Sequence, residues 1–286
     1  MDKRLADLQQ QFELERLEVN LFRGQSRDTG SPQVFGGQVL GQALSAASKT
    51  VEAGRLPHSL HAYFLRRGDF NAPIVYEVDR SRDGQSFSSR RVIAIQHGEQ
   101  IFNMAASFQI VEEGFDHQIE MPQVPPPESL PDTTQPLKEL LDRLPQRVQR
   151  FANQPRPFEF RMVQPVDYLA PRKSAPSRQV WLKAVSAVPD DETLHRCLLA
   201  YVSDFYLLDT STLPHGTTFL SNNIIMASID HAMWFHRPLR VDDWLLYVLE
   251  SPSASGARGF ARASVFSRDG RLVASTAQEG LVRVAR

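Results

Sequence analysis

The sequence predicts an α+β protein made of two similar halves, each a long helix followed by four antiparallel strands. Two observations carry this prediction. The same order of elements occurs twice along the 286 residues, and apolar residues alternate along the predicted strands, as they do when one face of a sheet is buried. A cluster of prolines separates the two occurrences. Two unrelated α+β domains are the alternative to a tandem repeat.

The first half begins with a predicted helix at residues 34–51, where small and apolar residues are continuous. Strands rich in β-branched and aromatic residues follow it at 59–67, 74–84, 86–98 and 99–109. Asp83-Gly84 and His97-Gly98 lie where these strands must reverse, and both suit tight hairpin turns that require positive φ.

The second half repeats this order, beginning with a predicted helix at residues 191–208. Its apolar stripe predicts that this helix is the buried one, and the stripe consists of Leu194, Leu198, Tyr201, Phe205 and Leu208. Strands are predicted at 228–238, 244–252, 257–270 and 271–280. Asp269-Gly270 marks the last hairpin turn.

Nine prolines between positions 122 and 157 divide the chain, because proline fixes φ and removes a backbone donor. We therefore expect an N-terminal domain at 1–112, a linker at 113–156 and a C-terminal domain at 157–286. Within the linker, residues 134–151 predict a short amphipathic helix bounded by proline.

Composition argues against several classes of partner and location. Lys and Arg number 32 against 33 Asp and Glu, and the resulting net charge of -1 does not favour nucleic acid or an anionic membrane. The charged first residues do not resemble a secretion signal, and no stretch has the roughly 18 unbroken apolar residues of a membrane span. The single cysteine, Cys197, lies in a predicted buried helix face and forms no intramolecular disulfide. We expect a cytoplasmic protein.

Sequence motifs for covalent and cofactor chemistry are missing: there is no Gly-x-Ser-x-Gly, no Walker-type loop and no Gly-x-Gly-x-x-Gly. Two histidine pairs, His58 with His61 and His231 with His236, have odd spacings. In strands such residues point to opposite faces, so neither pair forms a metal site by itself. We expect no metal and no cofactor.

Asp204 is the first candidate for chemistry, because a carboxylate beside an apolar stripe loses hydration and needs a partner or a task. It is either a structural group that reaches an Arg or a backbone donor, or an orienting group or general base. Ser228 and Gln278 are polar residues within apolar strand sequences. Taken alone, each is explained better by a solvent-facing position.

Longer motifs connect the chain to a known family: FRGQS, VFGGQVLGQA, HSLHAYFLRRGD, RDGQSFSSRRVIAIQ, SIDHAMWFHRP, SGARGF and VASTAQEG. They resemble the acyl-CoA thioesterase II (double-hotdog) family over nearly the full length of the chain. The resemblance implies two hotdog units in tandem, each an antiparallel sheet wrapped around a central helix. It also implies hydrolysis of medium- to long-chain acyl-CoA to fatty acid and CoA by water, without a metal or a covalent intermediate.

The same resemblance places the catalytic set on Asp204, Ser228 and Gln278. Many family members have Thr at the position of Ser228; both residues offer a hydroxyl, although Ser has more rotamer freedom. We predict that Asp204 accepts a proton from water while the other two side chains orient that water. Gly36-Gly37, at a helix start, either donates N–H groups to the developing oxyanion or only permits close packing.

The phosphates of CoA require basic side chains, and the candidates are left unassigned: Arg66, Arg67, Arg90, Arg91, Arg258 and Arg262. Two other functions stay open, a non-catalytic acyl-CoA binding module and a hotdog hydratase or dehydratase. We expect acyl-CoA and CoA as the small-molecule partners. Exposed outer sheet faces, together with the resemblance, favour a homo-oligomer, either a dimer or a tetramer.

Overall fold

α-Helices accompany a long antiparallel sheet. The computed structural model describes residues 2–31, 33–133, 149–150, 152–167, 170–221 and 223–285. Within these ranges the α-helices are α1 (Lys3–Phe12), α2 (Gly36–Ser48) and α3 (Glu192–Ser203). Two 3-10 helices lie at Pro127–Ser129 and Leu208–His215.

The strands are as regular as the alternating sequence predicts. In the first half they are β1 (Glu15–Glu18), β2 (Leu21–Gly24), β3 (Leu56–Phe64), β4 (Ile74–Asp83), β5 (Phe87–Gln96) and β6 (Glu99–Gln109). In the second half they are β7 (Phe158–Met162), β8 (Ser177–Ala184), β9 (Ile224–Ser228), β10 (Asp230–Phe235), β11 (Leu245–Ser255), β12 (Arg258–Ser267) and β13 (Leu272–Val284).

Among the described residues these strands form one sheet in the order β1-β2-β4-β5-β6-β3-β10-β13-β12-β11-β8-β7, and every neighbouring pair is antiparallel. The two halves meet where β3 pairs with β10, with Tyr63 opposite Asp230. The short strand β9 pairs with the end of β13, and this places Ser228 opposite Gly280. The sheet therefore brings Ser228 within two residues of Gln278.

In each half the predicted helix and the strands after it are present, but the strand predicted at 228–238 is shorter, since β10 covers Asp230–Phe235 and Ser228 instead ends the separate strand β9. Two strands that the sequence analysis missed precede each helix, namely β1 and β2 in the first half and β7 and β8 in the second. The predicted second helix is too long, since α3 ends at Ser203 and Tyr206 has a φ of 64°. Asp204 therefore follows the helix instead of lying within it.

The hairpin turns lie where they were predicted, although their backbone differs in one case. His97, Gly98 and Gly270 have positive φ, as expected. Gly84 does not, and its N–H instead donates to the carbonyl of Phe87 at 2.8 Å. A wider connection between β4 and β5 replaces the two-residue turn.

Both central helices are buried, and not α3 alone as the sequence predicted. Every residue of α2 from 37 to 47 is buried. Small residues permit this, since a Cβ on Gly37 would lie 2.1 Å from the carbonyl oxygen of Tyr201, and one on Gly41 would lie 3.0 Å from that of Cys197. The two helix backbones therefore approach closely within a shared core.

The proline-rich segment packs against the outer face of the second half. The indole N–H of Trp181 donates to the carbonyl of Pro125 at 2.9 Å, and Glu128 pairs with Arg268 at 2.7 Å. The helix predicted at 134–151 lies almost wholly outside the described residues. The proposed division at 112 and 156 stays a prediction.

Candidate active site

Asp204, Ser228 and Gln278 meet in one cluster. The amide Nε2 of Gln278 lies 2.7 Å from Asp204 Oδ1 and 3.1 Å from Ser228 Oγ. The Ser228 hydroxyl lies 3.5 Å from Asp204 Oδ1, at the long limit of a hydrogen bond. Three elements contribute these residues: the end of α3, the end of β9 and the buried face of β13. All three polar groups can therefore contact one small molecule.

The Asp204 carboxylate is held at the start of α2. Its side chain is only 6% exposed, and its Oδ2 accepts a hydrogen bond from the N–H of Gly37 at 3.0 Å. The first N–H groups of a helix have no partner within the helix and carry partial positive charge, which stabilises a nearby carboxylate. The N-terminal half thus supplies a donor to a carboxylate of the C-terminal half.

The Gly36-Gly37 pair is explained by close packing. A Cβ on Gly36 would lie 2.7 Å from Asp204 Oδ2, and one on Gly37 would contact the Tyr201 carbonyl as described above. The Gly37 N–H donates to Asp204. Of the two interpretations of these glycines, the structure favours packing over donation from Gly37 to an oxyanion.

Gln278 is fully buried, and the contacts of its amide nitrogen orient its side chain. Besides Asp204 and Ser228, this nitrogen contacts the Nδ1 of His231 at 3.2 Å. The carbonyl oxygen of the same amide has no hydrogen-bond partner among the described residues, although it is buried. The amide oxygen is thus an unsatisfied acceptor beside the carboxylate. Burying an amide oxygen without a donor costs folding free energy.

His231, for which the sequence predicted no role in the site, belongs to this cluster. Its Nδ1 lies 4.0 Å from Asp204 Oδ1 and its side chain has no exposed surface. Burial lowers the pKa of His231 to about 4, so the ring is neutral at neutral pH. The one available signal was its inward position on a strand of alternating burial, three residues after Ser228.

An apolar cavity of about 250 Å³ opens onto the cluster. Asp204, Ser228 and Gln278 all line it. Its other walls are mainly aromatic and aliphatic, including Phe35, Tyr201, Phe205, Phe219, Leu220 and Met226. Burial raises the pKa of Tyr201 to about 12, which keeps this wall uncharged. The cavity suits a hydrocarbon chain.

A second cavity of about 240 Å³ reaches Ser228 from another direction. Gly36 and Phe64 line it, together with the exposed arginines Arg66 and Arg67. This cavity is more polar than the first. The reactive cluster therefore contacts one mainly apolar cavity, which Arg27 and Arg156 also line, and one more polar cavity lined by Arg66 and Arg67.

The remaining candidates for phosphate binding are engaged elsewhere or lie outside both cavities. Arg90 is 1% exposed and bonds Asp83 and Thr50, so it is structural and not a phosphate ligand. Arg258 and Arg262 line neither cavity; each forms an exposed ion pair with a glutamate, as Arg66 also does with Glu99. Arg91 is exposed and lines neither cavity.

The histidine pairs have ordinary partners. His58 and His236 each contact a serine hydroxyl at 2.8 Å, and His61 packs edge-on against Trp234. Among the described residues no group of three or more His, Cys, Asp or Glu side chains is placed to hold a metal ion. In the same part of the chain, no helix has both the length and the apolar character needed to cross a membrane.

The fold and the cluster define a double-hotdog thioesterase, and the chain belongs to the acyl-CoA thioesterase family. The family model described as "Acyl-CoA thioesterase" matches residues 151–281, and one described as "Acyl-CoA thioesterase N-terminal domain" matches 25–109. The family, the fold class and the assignment to thioester hydrolases that the sequence predicted are thereby confirmed.

Relatives match over nearly the whole chain. Acyl-CoA thioesterase 2 of Haemophilus influenzae is 43% identical and 95% of each chain is covered. Acyl-coenzyme A thioesterase 8 of Homo sapiens is 41% identical, with 95% of this chain and 87% of the human protein covered. The crystal structure of the acyl-CoA thioesterase II TesB2 from Mycobacterium marinum superimposes with a TM-score of 0.80 at 42% identity, over 97% of this chain and 98% of that one.

Proposed function

We propose that this protein hydrolyses medium- to long-chain fatty acyl-CoA to free acid and CoA, with water activated by Asp204, Ser228 and Gln278. The observation that supports this most directly is the convergence of the three side chains, at 2.7 to 3.5 Å, on the wall of an apolar cavity. A carboxylate, a hydroxyl and an amide can hold one water and accept one of its protons. No nucleophilic side chain and no metal is needed for this chemistry.

In the proposed reaction Asp204 accepts a proton from water as the water oxygen bonds to the thioester carbon. The carbonyl oxygen then carries negative charge until the carbon–sulfur bond breaks. CoA leaves as a thiolate and takes up the proton, so that the products are a fatty acid and CoA. General-base help of this kind is worth about 10²–10⁴-fold in rate, and fixing the water in an attack geometry adds to it.

Ser228 and Gln278 orient the water in this proposal. The Gln278 nitrogen faces Asp204, and its amide oxygen is the unpartnered acceptor. A water that donates one hydrogen to Asp204 and the other to this oxygen presents its lone pair outward. The orientation is set before the substrate arrives, which is the main requirement for efficient attack.

The two cavities correspond to the two arms of an acyl-CoA. The aromatic cavity takes the acyl chain, and each methylene it buries contributes about 0.8 kcal/mol, roughly fourfold in kcat/KM, until the cavity is full. The second cavity takes the pantetheine arm, and Arg66 and Arg67 face the phosphates at its mouth. The thioester then lies beside Ser228, which lines both cavities.

The activity is tested by incubating the purified protein with palmitoyl-CoA and measuring thiol release. Asp204→Ala and Gln278→Ala should each lose at least about 100-fold in kcat with unchanged thermal stability. The matched control is Asp190→Ala, which removes a carboxylate that is 97% exposed. Hydrolysis that persists in both site variants contradicts the assignment of these residues. No hydrolysis at any acyl length favours the binding module, and hydration of an enoyl-CoA favours the hydratase.

The phosphate arm is tested separately with a double charge reversal, Arg66→Glu with Arg67→Glu. We expect a higher KM for palmitoyl-CoA and no change for an acyl thioester of N-acetylcysteamine, which carries no phosphate. Arg91→Glu is the control. Equal changes in KM for both substrates contradict the phosphate assignment but do not contradict the proposed hydrolytic activity.

Homo-oligomerisation and a cytoplasmic location belong to the same proposal. Exposed Tyr63 and Trp234 lie on the paired central strands β3 and β10, which gives the outer sheet an apolar surface for a second copy. The single cysteine is buried and free, as a reducing compartment allows. Light scattering of the purified protein measures the oligomeric state, and fractionation of the source cells tests the location.

A further inference from the structure

We propose that His231 is a positioning residue that fixes the amide of Gln278 through the tautomer of its ring. The proposal rests on the catalytic role proposed for Gln278. The amide must present nitrogen to Asp204 and oxygen outward, and the two ends of an amide have nearly the same shape. Something other than packing has to distinguish them.

The hydroxyl groups on one side of His231 determine which ring nitrogen carries the proton. Its Nε2 lies 3.0 Å from both Ser203 Oγ and Thr276 Oγ1. Each hydroxyl has one hydrogen, and each donates it to a main-chain carbonyl, Ser203 to Ala200 at 2.9 Å and Thr276 to Ala232 at 2.8 Å. Both oxygens therefore offer only lone pairs to Nε2. The hydrogen of the neutral ring must be on Nε2.

It follows that Nδ1 of His231 is an acceptor. It faces the amide nitrogen of Gln278 at 3.2 Å, and that nitrogen also lies 2.7 Å from Asp204 Oδ1. A reversed amide would place its oxygen against a carboxylate oxygen and a ring lone pair at once, and only the Ser228 hydroxyl, 3.1 Å away, could donate a hydrogen to it. The ring and the carboxylate together hold the productive orientation.

The charged groups around the ring agree with this assignment. Among the described residues Asp204 faces the ring, with its Oδ1 4.0 Å from Nδ1. Tyr247, whose hydroxyl donates to the Ser203 carbonyl at 2.7 Å, is neutral because burial raises its pKa. Protonation of Nδ1 would direct an N–H at the amide nitrogen of Gln278. The hydrogen bond from that nitrogen to the ring would then be lost.

The decisive measurement is the ¹⁵N chemical shift of the His231 ring in the wild-type protein, which identifies the protonated nitrogen without any substitution. We expect the proton on Nε2. A proton on Nδ1 overturns the proposal. This measurement needs no turnover, so it is independent of whether the proposed hydrolysis occurs.

Kinetic variants test whether the tautomer matters for turnover. His231→Leu removes the acceptor and should lower kcat by about 10- to 100-fold, as loss of an orienting partner commonly does, with little change in KM. His231→Asn places an amide oxygen near the position of Nδ1 and should recover part of the loss. His236→Leu is the control, since that ring contacts the hydroxyl of Ser275, which lies outside the cluster.

A variant that leaves the ring intact covers the case in which His231→Leu fails to fold. Ser203→Ala combined with Thr276→Val removes both lone-pair partners of Nε2, so the ring can take either tautomer. We expect a lower kcat and a mixed ¹⁵N signature. Wild-type kcat in this variant or in His231→Leu overturns the positioning role, whereas an inactive wild-type protein defeats the proposed hydrolysis instead.

Discussion

Gln278→Glu is the sharpest test of the proposed water site, because it changes one atom and adds a charge. The new carboxylate oxygen replaces the amide nitrogen that lies 2.7 Å from Asp204 Oδ1. At an effective dielectric constant of about 20, two unit negative charges at that separation repel by about 6 kcal/mol before relaxation. The two carboxyl groups therefore retain a proton between them at neutral pH, as adjacent carboxylates do.

The consequence is a loss of the general base and a displaced pH profile. About two thirds of that repulsion moves the midpoint of the profile upward by about three pH units, at about 1.4 kcal/mol per unit, which takes an ordinary carboxyl from about pH 4 to near neutral pH. We expect kcat at neutral pH to fall by at least about 100-fold and to recover partly in alkaline solution. The assay is thiol release from palmitoyl-CoA across the pH range in which the variant stays folded.

Gln278→Ala separates the two effects, because it removes the amide without adding charge. Its loss of kcat should not be recovered at high pH. A Gln278→Glu variant with wild-type kcat and an unchanged pH profile would refute the proposed contact between Gln278 and the general base.

The other predictions concern stability, reactivity and the hydroxyl. Gly37→Val should cost several kcal/mol or prevent folding, since its Cβ would lie 2.1 Å from the Tyr201 carbonyl oxygen; thermal unfolding measures this. Burial holds the folded pKa of His231 near 4, below its unfolded value of about 6.5. The stability that this residue contributes is thus present above about pH 6.5 and lost toward pH 4, by up to about 3 kcal/mol; denaturant unfolding against pH should show a smaller loss in His231→Asn. Burial raises the pKa of Cys197 to about 12, so the native protein should resist thiol reagents that label the unfolded chain. Ser228→Thr should retain activity and Ser228→Ala should lose it, by the thiol-release assay; an inactive threonine variant would contradict the hydroxyl role.

Sequence periodicity was sufficient to predict the strands in which apolar and polar residues alternate between the buried and the exposed face. The strands β3 to β6 and β11 to β13 alternate in burial as their sequences do. The pattern failed where neighbours decide the structure. The exposed strand β1 has no apolar face to reveal it. The apolar stripe of α3 continues past Ser203 in sequence, while the backbone turns at Tyr206.

The candidate site was likewise only partly predictable from the sequence. Asp204, Ser228 and Gln278 were selected by the family resemblance, because composition and spacing left each of them open to a structural or solvent-facing interpretation. The contact between Gly37 and Asp204 spans 167 residues, and that between Gln278 and Asp204 spans 74. No local pattern reports such separations.

The sequence by itself therefore determined the family and the tandem α+β architecture, and it selected three polar residues as candidates for the site. Only the tertiary structure decided that α2 supplies an N–H to the carboxylate, that two cavities of different polarity meet at Ser228, and that the His231 ring contacts the amide of Gln278. The physical reason is that secondary structure follows from side chains close together along the chain. A reactive site depends instead on sheet register and helix packing, which bring distant segments within hydrogen-bonding distance.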